Sequence, residues 1–427
     1  MSSPVLVRPA GDGGATVVAV LPGAHVLRDL SAGASLADHR RHTPAPPTLS
    51  LADLLVRVRA VDVRGRGGAG FPFATKLEAV AGAGRRREVV VNLSEGEPVS
   101  FKDAALGLTR PHLVLDGAVL VARALGCRVV HVVLPGERAG VAAAVRRAVD
   151  ECGREDTRTR WRLHRAEGRF VAGQAHAVVE LMSGRPNLPV TAWQPVALHG
   201  YHGRPTLLSN AETFAHVAVL AGEHRAAYAA TGTAEEPGTR LLTLDGHGER
   251  PTVTEVAHGT PWEELLTDEA LDSPVLVGGY HGTWAAAGAL RGLTVSRTGM
   301  ASAGLSLGAG VVLPLSDGDC PVHRTAAIVS FLAAQSARRC GPCRHGLPAL
   351  ADAMRATDRG IDRSARARAL VDLVTGRGAC AHPDGTARTV ASMLARFGDE
   401  VAAHASGDCT YRRSSIASDG RVAGGGR

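Results

Sequence analysis

Short apolar runs alternate with longer amphipathic stretches in the first half of the chain. Residues 88–93 and 128–134 are apolar, valine-rich runs of the length typical of buried strands. Residues 111–126 and 141–151 repeat their apolar positions at helical spacing, and the first of these stretches ends at a glycine. This order of strand, helix, strand and helix predicts an α/β domain with a mostly parallel sheet.

The second half of the chain carries two further patterns. Residues 239–244 and 252–256 are typical of two strands around a turn, and a short helix and another strand are expected at residues 262–266 and 274–277. Beyond Cys320 the apolar positions recur at helical spacing, which predicts a helical domain after a small β unit. The helices are predicted at residues 320–336, 347–354, 364–373 and 386–397.

These patterns divide the chain into five segments. The residues before the proline-rich stretch 43–47 show weak periodicity, and Ser50 fits the N-cap of a helix that begins at Leu51. The Ser- and Gly-rich residues after Tyr411 predict disorder. The predicted segments are an N-terminal extension at 1–48, the α/β domain at 49–230, the small β domain at 235–318, the helical domain at 319–412 and a disordered tail at 413–427.

Composition narrows the class of protein. The chain has 427 residues, of which 45% are hydrophobic and 21% charged, as is ordinary for a protein of several packed domains. The formal net charge is +7, but arginines are spread along the chain and aromatic residues make up only 4%, so we expect no nucleic-acid partner. A mildly basic surface could instead steer an acidic redox partner such as a ferredoxin.

Cysteine usage and the N-terminus bear on location. Seven cysteines without a repeating framework indicate a reduced, cytoplasmic protein. The N-terminus lacks the pattern of a signal peptide, and the apolar residues Ala15 to Leu21 are too few to span a bilayer. We expect no direct membrane insertion, and a position at the inner face of a membrane would depend on a partner such as a membrane redox protein.

Glycines are concentrated between Arg64 and Lys76. Four of them within six residues would let a backbone approach a ligand closely and turn its N–H groups toward an anion. These four are Gly65, Gly67, Gly68 and Gly70. A helix beginning after Phe73 would add its positive N-terminal end. By itself this loop fits a phosphate site and a plain flexible turn equally well. The chain contains one lysine besides Lys76, which is Lys102.

An acidic turn follows the strand at residues 88–93. It contains Glu95 and Glu97 and continues to Lys102. Taken alone, this acidic segment would be interpreted as a solvent-exposed turn, and only the glycine loop just upstream suggests a binding role.

The third candidate segment contains cysteines. Cys340 and Cys343 are separated by a Gly-Pro pair, which predicts a tight turn that brings both thiolates to one side. Cys380 follows 37 residues after Cys343. Three such sulfurs can ligate an iron–sulfur cluster, although four are usual, and a zinc site or a redox dithiol competes for the same pattern. His345 and His382 each lie two residues past a cysteine.

From about Leu51 to Cys409 the chain resembles the NADH-binding flavoprotein subunit (51 kDa, F-type) of respiratory complex I. Residues 65–76 are similar to the family loop Gly-Arg-Gly-Gly-Ala-Gly-Phe-Pro-Thr-Gly-x-Lys, and residues 92–103 to Asn-Ala-Asp-Glu-Gly-Glu-Pro-Gly-x-x-Lys-Asp. Residues 203–213 are similar to Gly-x-Pro-Thr-x-x-Asn-Asn-Val-Glu-Thr. The resemblance implies an FMN-binding α/β domain, then a small ubiquitin-like β-grasp domain and a C-terminal helical iron–sulfur domain.

The resemblance also implies the roles of individual residues. Glu97 would be the catalytic carboxylate, NADH would bind beside the flavin, and Cys340, Cys343 and Cys380 would ligate a 4Fe-4S cluster. A ferredoxin-like or other redox subunit would be the partner. The implied cofactor-binding residues are Gly65, Arg66, Gly67, Gly68, Gly70, Phe71, Lys76, Asn92, Glu95, Asn210 and Thr213.

The chain departs from the family in the NADH pocket. Two family glutamates are replaced by Gln174 and Ala175, a tyrosine by Phe170, and a phenylalanine that stacks on adenine by Ala79. An aspartate that helps to hold the flavin is replaced by Ser94. We therefore expect a weakened NADH site.

The chain also departs from the family at the cluster. The first family cysteine falls on Ala337, which offers no donor atom, so the fourth ligand is unassigned. Three functions stay open at this point. The first is electron transfer between FMN and a 4Fe-4S cluster with a weakened NADH site. The second is a non-catalytic scaffold subunit of a redox complex, and the third is a zinc or dithiol module built on the three cysteines.

Overall fold

The computed structural model describes residues 3–11, 16–84, 86–245, 250–316 and 318–411. The tail predicted at residues 413–427 lies outside these ranges, as does the tip of the predicted turn at residues 246–249. The described strands are β1 (Val5–Val7), β2 (Val18–Val20), β3 (Glu88–Asn92), β4 (Val129–Leu134), β5 (Arg160–Arg165), β6 (Thr206–Asn210), β7 (Thr239–Leu244), β8 (Thr252–Ala257), β9 (Val275–Val277), β10 (Thr283–Ala285) and β11 (Val311–Pro314).

The described helices follow the predicted pattern closely, and several were not predicted. They are α1 (Leu36–His42), α2 (Leu51–Ala60), α3 (Phe73–Gly82), α4 (Lys102–Thr109), α5 (Pro111–Ala124), α6 (Ala139–Glu155), α7 (Ala175–Met182), α8 (Ala211–Ala221), α9 (Arg225–Ala230), α10 (Asp268–Leu271), α11 (Arg297–Ala301), α12 (Pro321–Ala334), α13 (Leu347–Asp358), α14 (Ser364–Val374), α15 (His382–Arg396) and α16 (Gly398–Ala405). Ser50 caps α2 as predicted, because its side chain accepts a hydrogen bond from the Asp53 N–H.

The four-stranded sheet has the order β5-β4-β3-β6, and every neighbouring pair in it is parallel. Strand β3 is buried on both faces. Val89 and Val91 belong to a large core shared with α2 to α6 and α8, whereas Val90 belongs to a smaller core that α7 covers. A strand covered on both sides needs apolar residues at every position, which explains its continuous valine run. The predicted α/β class with a mostly parallel sheet is confirmed.

Helices α5 and α8 are buried over most of their length and meet at Gly117. A Cβ atom at Gly117 would lie 1.9 Å from the carbonyl oxygen of Phe214. Only glycine therefore allows the two backbones to approach this closely. This packing fixes the position of α8, whose first turn lies at the carboxyl end of β6.

The seven-stranded sheet is mixed and has the order β1-β2-β8-β7-β11-β9-β10. Strands β7 and β8 pair antiparallel, as predicted. Strand β2 pairs parallel to β8 through Ala19 and Thr252, so the N-terminal segment extends this sheet. Its weak periodicity predicted no strand, because strands of three residues are too short to show an alternating pattern. The β-grasp domain expected at residues 235–318 stays a prediction.

The N-terminal segment also contacts the α/β domain. In α1, the Arg40 guanidinium donates to both carboxylate oxygens of Asp116 on α5, at 2.7 and 2.9 Å. His39 Nε2 lies 2.9 Å from the same carboxylate. The described residues before position 48 therefore bind to both sheet-containing parts of the molecule.

Helices α12 to α16 form the predicted C-terminal helical region. Their core includes Trp284 of β10, whose indole Nε1–H donates to Thr325 Oγ1 at 2.9 Å. The backbone N–H of Trp284 donates to Ser392 Oγ at 3.0 Å. The helical region therefore packs directly on one end of the seven-stranded sheet.

Within the described residues, no single helix combines the length and apolar character needed to cross a membrane. Helices α4 and α5 meet those criteria only when taken together, and they are bent by 96° with respect to each other.

Candidate cofactor-binding site

The glycine loop is closed at its base by backbone contacts. Arg64 and Pro72 form a β-bridge, and the Gly65 N–H donates to the Phe71 carbonyl at 2.9 Å. Gly68 has a φ of +108°, so a residue with a side chain at this position would have a strained backbone. A Cβ atom at Gly67 would have no atom within 4 Å, so this position of the loop faces open space. Phe71 is 50% exposed beside this opening.

The loop is anchored to the junction of β6 and α8. The Arg66 N–H donates to Asn210 Oδ1 and Thr213 Oγ1, both at 3.3 Å, and the Thr213 hydroxyl donates to Asn210 Oδ1 at 2.6 Å. The Arg66 guanidinium donates to the Thr239 carbonyl at 2.9 Å. The structure therefore brings together three residues that the sequence assigned to the cofactor.

A further predicted residue, Asn92, lies beside Asn210 at the carboxyl ends of β3 and β6, where the two are register partners. The Asn92 amide donates to the Gly173 carbonyl at 2.8 Å. The Asn210 Nδ2 is buried and has no hydrogen-bond partner among the described residues. Ligands of parallel α/β sheets bind outside the carboxyl ends of the strands. An unpartnered buried donor at this edge fits a polar cofactor.

Lys76 points back from α3 toward the same edge. Its ammonium donates to the Leu208 carbonyl of β6 at 3.0 Å, and burial lowers the pKa of Lys76. A single carbonyl satisfies one of its three N–H groups, which leaves donors for an anionic ligand.

Glu95 is committed to protein contacts. Its backbone φ is +37°, and its carboxylate accepts from the Asp103 and Ala104 N–H groups at 3.0 Å each. It also forms an ion pair with Arg138. These contacts cap α4 and hold the acidic turn in shape, so the cofactor contact predicted for Glu95 stays a prediction.

Glu97 is the predicted catalytic carboxylate. Its Oε2 accepts from the Tyr280 N–H at 2.9 Å, whereas its buried Oε1 has no partner among the described residues. Burial raises the pKa of Glu97 to about 8. At neutral pH this side chain is therefore mostly a carboxylic acid, which can donate a hydrogen bond as well as accept one.

Phe170 and Gln174, two of the residues that replace those of the family's NADH pocket, contact the helical region. The Phe170 ring packs edge-on against His281, with centroids 4.6 Å apart, and its N–H donates to Gln335 Oε1 at 3.1 Å. Ala175 is exposed at the start of α7. Gln174 is the residue before α7, and its side chain hydrogen-bonds to Cys380. The sequence did not predict this last contact, because it joins residues of two domains.

The three predicted ligand cysteines come together. The Cys343 thiol interacts with both Cys340 and Cys380, and burial together with these neighbours raises the pKa of Cys343 to about 12. Cys343 does not lie in the predicted tight turn, because residues Pro342–Gly346 continue into α13 as one wide π-helical turn. This correction has a local cause: Pro342 is well suited to the first turn of a helix.

The segment around Ala337, where the family cysteine is missing, lies beside Cys343. Ala337 is buried, and the Ser336 hydroxyl beside it donates to the Cys343 carbonyl at 3.4 Å. Arg338 has a φ of +53°, a conformation that favours glycine.

The two histidines near the cysteines differ in their surroundings. His382 is fully buried, with Nδ1 3.1 Å from His281 Nε2 and Nε2 2.9 Å from the Leu332 carbonyl. Both of its ring nitrogens are thus occupied. His345 is exposed. The described residues therefore bring three cysteine thiols together, and the fourth ligand stays unassigned.

Two family models match these regions. The model described as "Nuo51 FMN-binding domain" matches residues 58–219, and the model described as "NADH-ubiquinone oxidoreductase-F iron-sulfur binding region" matches residues 323–404. The chain is a divergent member of the family of complex I flavoprotein subunits (F-type). It is an electron-transfer flavoprotein with an FMN-binding domain and a 4Fe-4S-binding region.

Individual relatives in this family are similar along most of their length. The second F subunit of NADH-quinone oxidoreductase from Rhizobium meliloti (strain 1021) is 26% identical over 425 residues, which cover 95% of this chain and 98% of that protein. The F subunit of NADH-quinone oxidoreductase from Mycobacterium tuberculosis (strain H37Rv) is 28% identical over 386 residues, which cover 84% and 86%.

A solved structure is also similar. The crystal structure of an NAD+-reducing NiFe hydrogenase in the air-oxidized state matches with a TM-score of 0.77 and 26% identity. The match covers 86% of this chain and 66% of that chain.

The raised pKa of Glu97 makes a prediction about stability. The folded state keeps a proton on Glu97 that the unfolded chain loses above its ordinary pKa of 4.5, so stability falls as pH rises from 4.5 to about 8. We expect Glu97→Gln to remove this loss, a gain of about 1.4 kcal/mol per pH unit across the window. Thermal unfolding of both proteins from about pH 4 to pH 9 measures it.

The matched control is Glu137→Gln, which changes an exposed carboxyl. Its melting temperature should differ from that of the parent by the same amount at every pH. A constant offset between Glu97→Gln and the parent across the range would show that Glu97 titrates normally.

Proposed function

We propose that this chain moves electrons between an FMN held on the loop from Gly65 to Gly70 and a 4Fe-4S cluster held by three cysteines, with a weakened NADH site. When bound, the flavin takes up two electrons and passes them on singly. The protein supplies placement: Arg66, Asn210 and Thr213 shape the loop, and Lys76 and Asn92 offer polar contacts at the strand ends.

The observation that carries the proposal is a short line of contacts between the two sites. The Asn92 amide bonds to the Gly173 carbonyl, and the next residue, Gln174, bonds to Cys380. The proposed flavin edge and a proposed cluster ligand are thus separated by two adjacent residues. A non-catalytic scaffold would not need this proximity. The scaffold is still the second candidate function, because the family cysteine is replaced by Ala337.

The spacing of the cysteines argues against a single zinc ion. One ion gathers its ligand atoms closely, whereas a four-iron cluster holds its thiolates farther apart. Cys340, Cys343 and Cys380 do not form a group with all ligand atoms within 4.8 Å, a test that a different set of described residues passes. The three sulfurs interact with one another without all lying that close together, which favours a cluster over a single ion.

We also propose an acidic redox partner, such as a ferredoxin-like subunit, at the cluster. Exposed basic side chains lie within three residues of a ligand cysteine, and a positive rim attracts an acidic protein surface. They are Arg338, Arg339, Arg344 and Arg377. A cytoplasmic location, or one at the inner face of a membrane through a membrane redox partner, is consistent with this role.

Gly67→Val tests the FMN site. The added side chain meets no protein atom in the loop, so the apoprotein should keep its melting temperature while the flavin is excluded. We expect the dissociation constant for FMN, measured by fluorescence quenching, to rise at least about tenfold. Gly82→Val is the control, because its side chain also points into open space but away from the loop. Equal FMN binding by Gly67→Val and the parent would exclude the loop as the site.

The weakened NADH site predicts slow flavin reduction by NADH, because two carboxylates and a stacking ring are missing. Ala175→Glu restores one carboxylate at an exposed helix start, and we expect it to speed reduction at least about tenfold by orienting the nicotinamide. Stopped-flow bleaching of the flavin absorbance measures the rate. Ala139→Glu makes the same change at the exposed start of α6 and should have no effect. Rapid bleaching of the parent by micromolar NADH would refute the weakened site.

The open fourth position predicts an air-sensitive cluster. Aerobically handled protein should show a 3Fe-4S signal in electron paramagnetic resonance, because an iron without a thiolate is easily lost. Ala337→Cys should reduce that signal at least about tenfold and restore four irons, whereas Ala334→Cys on the exposed end of α12 should not. Failure of both the parent and Ala337→Cys to take up iron would favour the scaffold.

A further inference from the structure

A second set of metal-ligating side chains lies away from the proposed cluster, where the chain leaves the helical region. Cys320 precedes the first residue of α12, and Glu400 and His404 lie one turn apart on α16. Cys409 follows four residues after the end of α16. The ligand atoms of these four residues all lie within 4.8 Å of one another, and the first three residues are buried.

The distances within this set fit one ion at its centre. Cys320 Sγ lies 3.2 Å from His404 Nε2 and 3.7 Å from Glu400 Oε1, and His404 Nε2 lies 3.3 Å from the same oxygen. Zinc bonds of about 2.0–2.3 Å in a tetrahedron place the ligand atoms roughly 3.3–3.8 Å apart. The ligand atoms of Cys320, Glu400 and His404 thus have about the separation of a tetrahedral edge, and Cys409 Sγ lies within 4.8 Å of each of them.

The ligands are also held in the orientation that a metal requires. His404 Nδ1 lies 3.1 Å from the Asp358 carbonyl, an acceptor only, so Nδ1 carries the proton and the lone pair of Nε2 faces the centre. Glu400 is held by the Thr410 N–H at 3.2 Å and by the Thr410 hydroxyl. The lone pairs of Nε2 and a carboxylate oxygen then face each other and repel unless a cation or a proton lies between them.

We propose that Cys320, Glu400, His404 and Cys409 form a structural zinc site that fastens the end of the described chain to the start of α12. Two thiolates, one imidazole and one carboxylate are ligand types that zinc prefers. Four protein ligands leave no open position, as in structural rather than catalytic zinc sites. On binding, each cysteine thiol gives its proton to solvent and its sulfur bonds to zinc.

Part of this site has a local signal in the sequence. Glu400 and His404 have the i, i+4 spacing that puts two side chains on one face of a helix, and Cys409 follows five residues later. Cys320 is 80 residues away from Glu400, so only the fold brings the fourth ligand in. The site is independent of the FMN and cluster assignments, since it shares no ligand with them.

Metal analysis of the full-length chain tests the proposal. Purified protein should retain about one zinc per chain through dialysis in addition to its iron. Cys409→Ser changes a partly exposed residue and should lower zinc at least about tenfold while iron is unchanged. Cys343→Ser should show the reverse, with iron lost and zinc retained. Cys127→Ser, in the α/β domain, should keep both metals.

A second measurement does not depend on the folding of Cys409→Ser. Cys343→Ser protein grown with cobalt should show the visible bands of tetrahedral cobalt with thiolate ligands. Zinc below about a tenth per chain in the parent, or zinc that disappears with Cys343→Ser but not with Cys409→Ser, would overturn the site. Absence of the cobalt bands would do the same and would leave a hydrogen-bonded cluster without metal.

Discussion

The buried ion pair between Lys102 and Glu212 is the interaction on which the site depends. The Lys102 ammonium lies 2.8 Å from Glu212 Oε2 and 3.3 Å from Asp103 Oδ1, and both partner residues are buried. The other oxygen of Glu212 accepts from the N–H of Leu241, a residue of β7, at 2.8 Å. One carboxylate therefore holds α4, α8 and the seven-stranded sheet together. Removing one member of a buried pair typically costs about 3–5 kcal/mol, because the other charge is left unpaired.

This ion pair also explains the lysine content. In an arginine-rich chain the two lysines occupy places where a compact ammonium is required. Lys102 is enclosed by carboxylates, and Lys76 reaches a strand carbonyl at the glycine loop. A guanidinium would be too broad for the first position. Both lysines of the chain thus lie at sites where their ammonium groups contact protein oxygens.

The sequence predicted the parts that local patterns encode, and missed those that depend on distant residues. The valine run of β3, the helix pattern of α5 and the glycine loop each occupy one continuous stretch, and their physical causes are local. The contact of Gln174 with Cys380 joins residues that are 206 positions apart. In the sequence, His382 is notable only because it lies two residues past Cys380. In the structure, both of its ring nitrogens are hydrogen-bonded, to His281 and to the Leu332 carbonyl. The left-handed backbone at Arg338 could not be predicted from the sequence, because glycine is the residue that usually indicates this conformation.

The pairing of β2 with β8 has a consequence for the order in which the chain can fold. Strands β1 and β2 are made first, yet Ala19 finds its partner only at Thr252, more than 200 residues later. During synthesis the edge of β2 that later pairs with β8 therefore remains unpaired, and such an unpaired edge is a template for pairing with another chain. Long-range parallel pairing of this kind is also slow to form. The synthesis of β8 therefore controls when the earliest strands of the sheet are protected from aggregation.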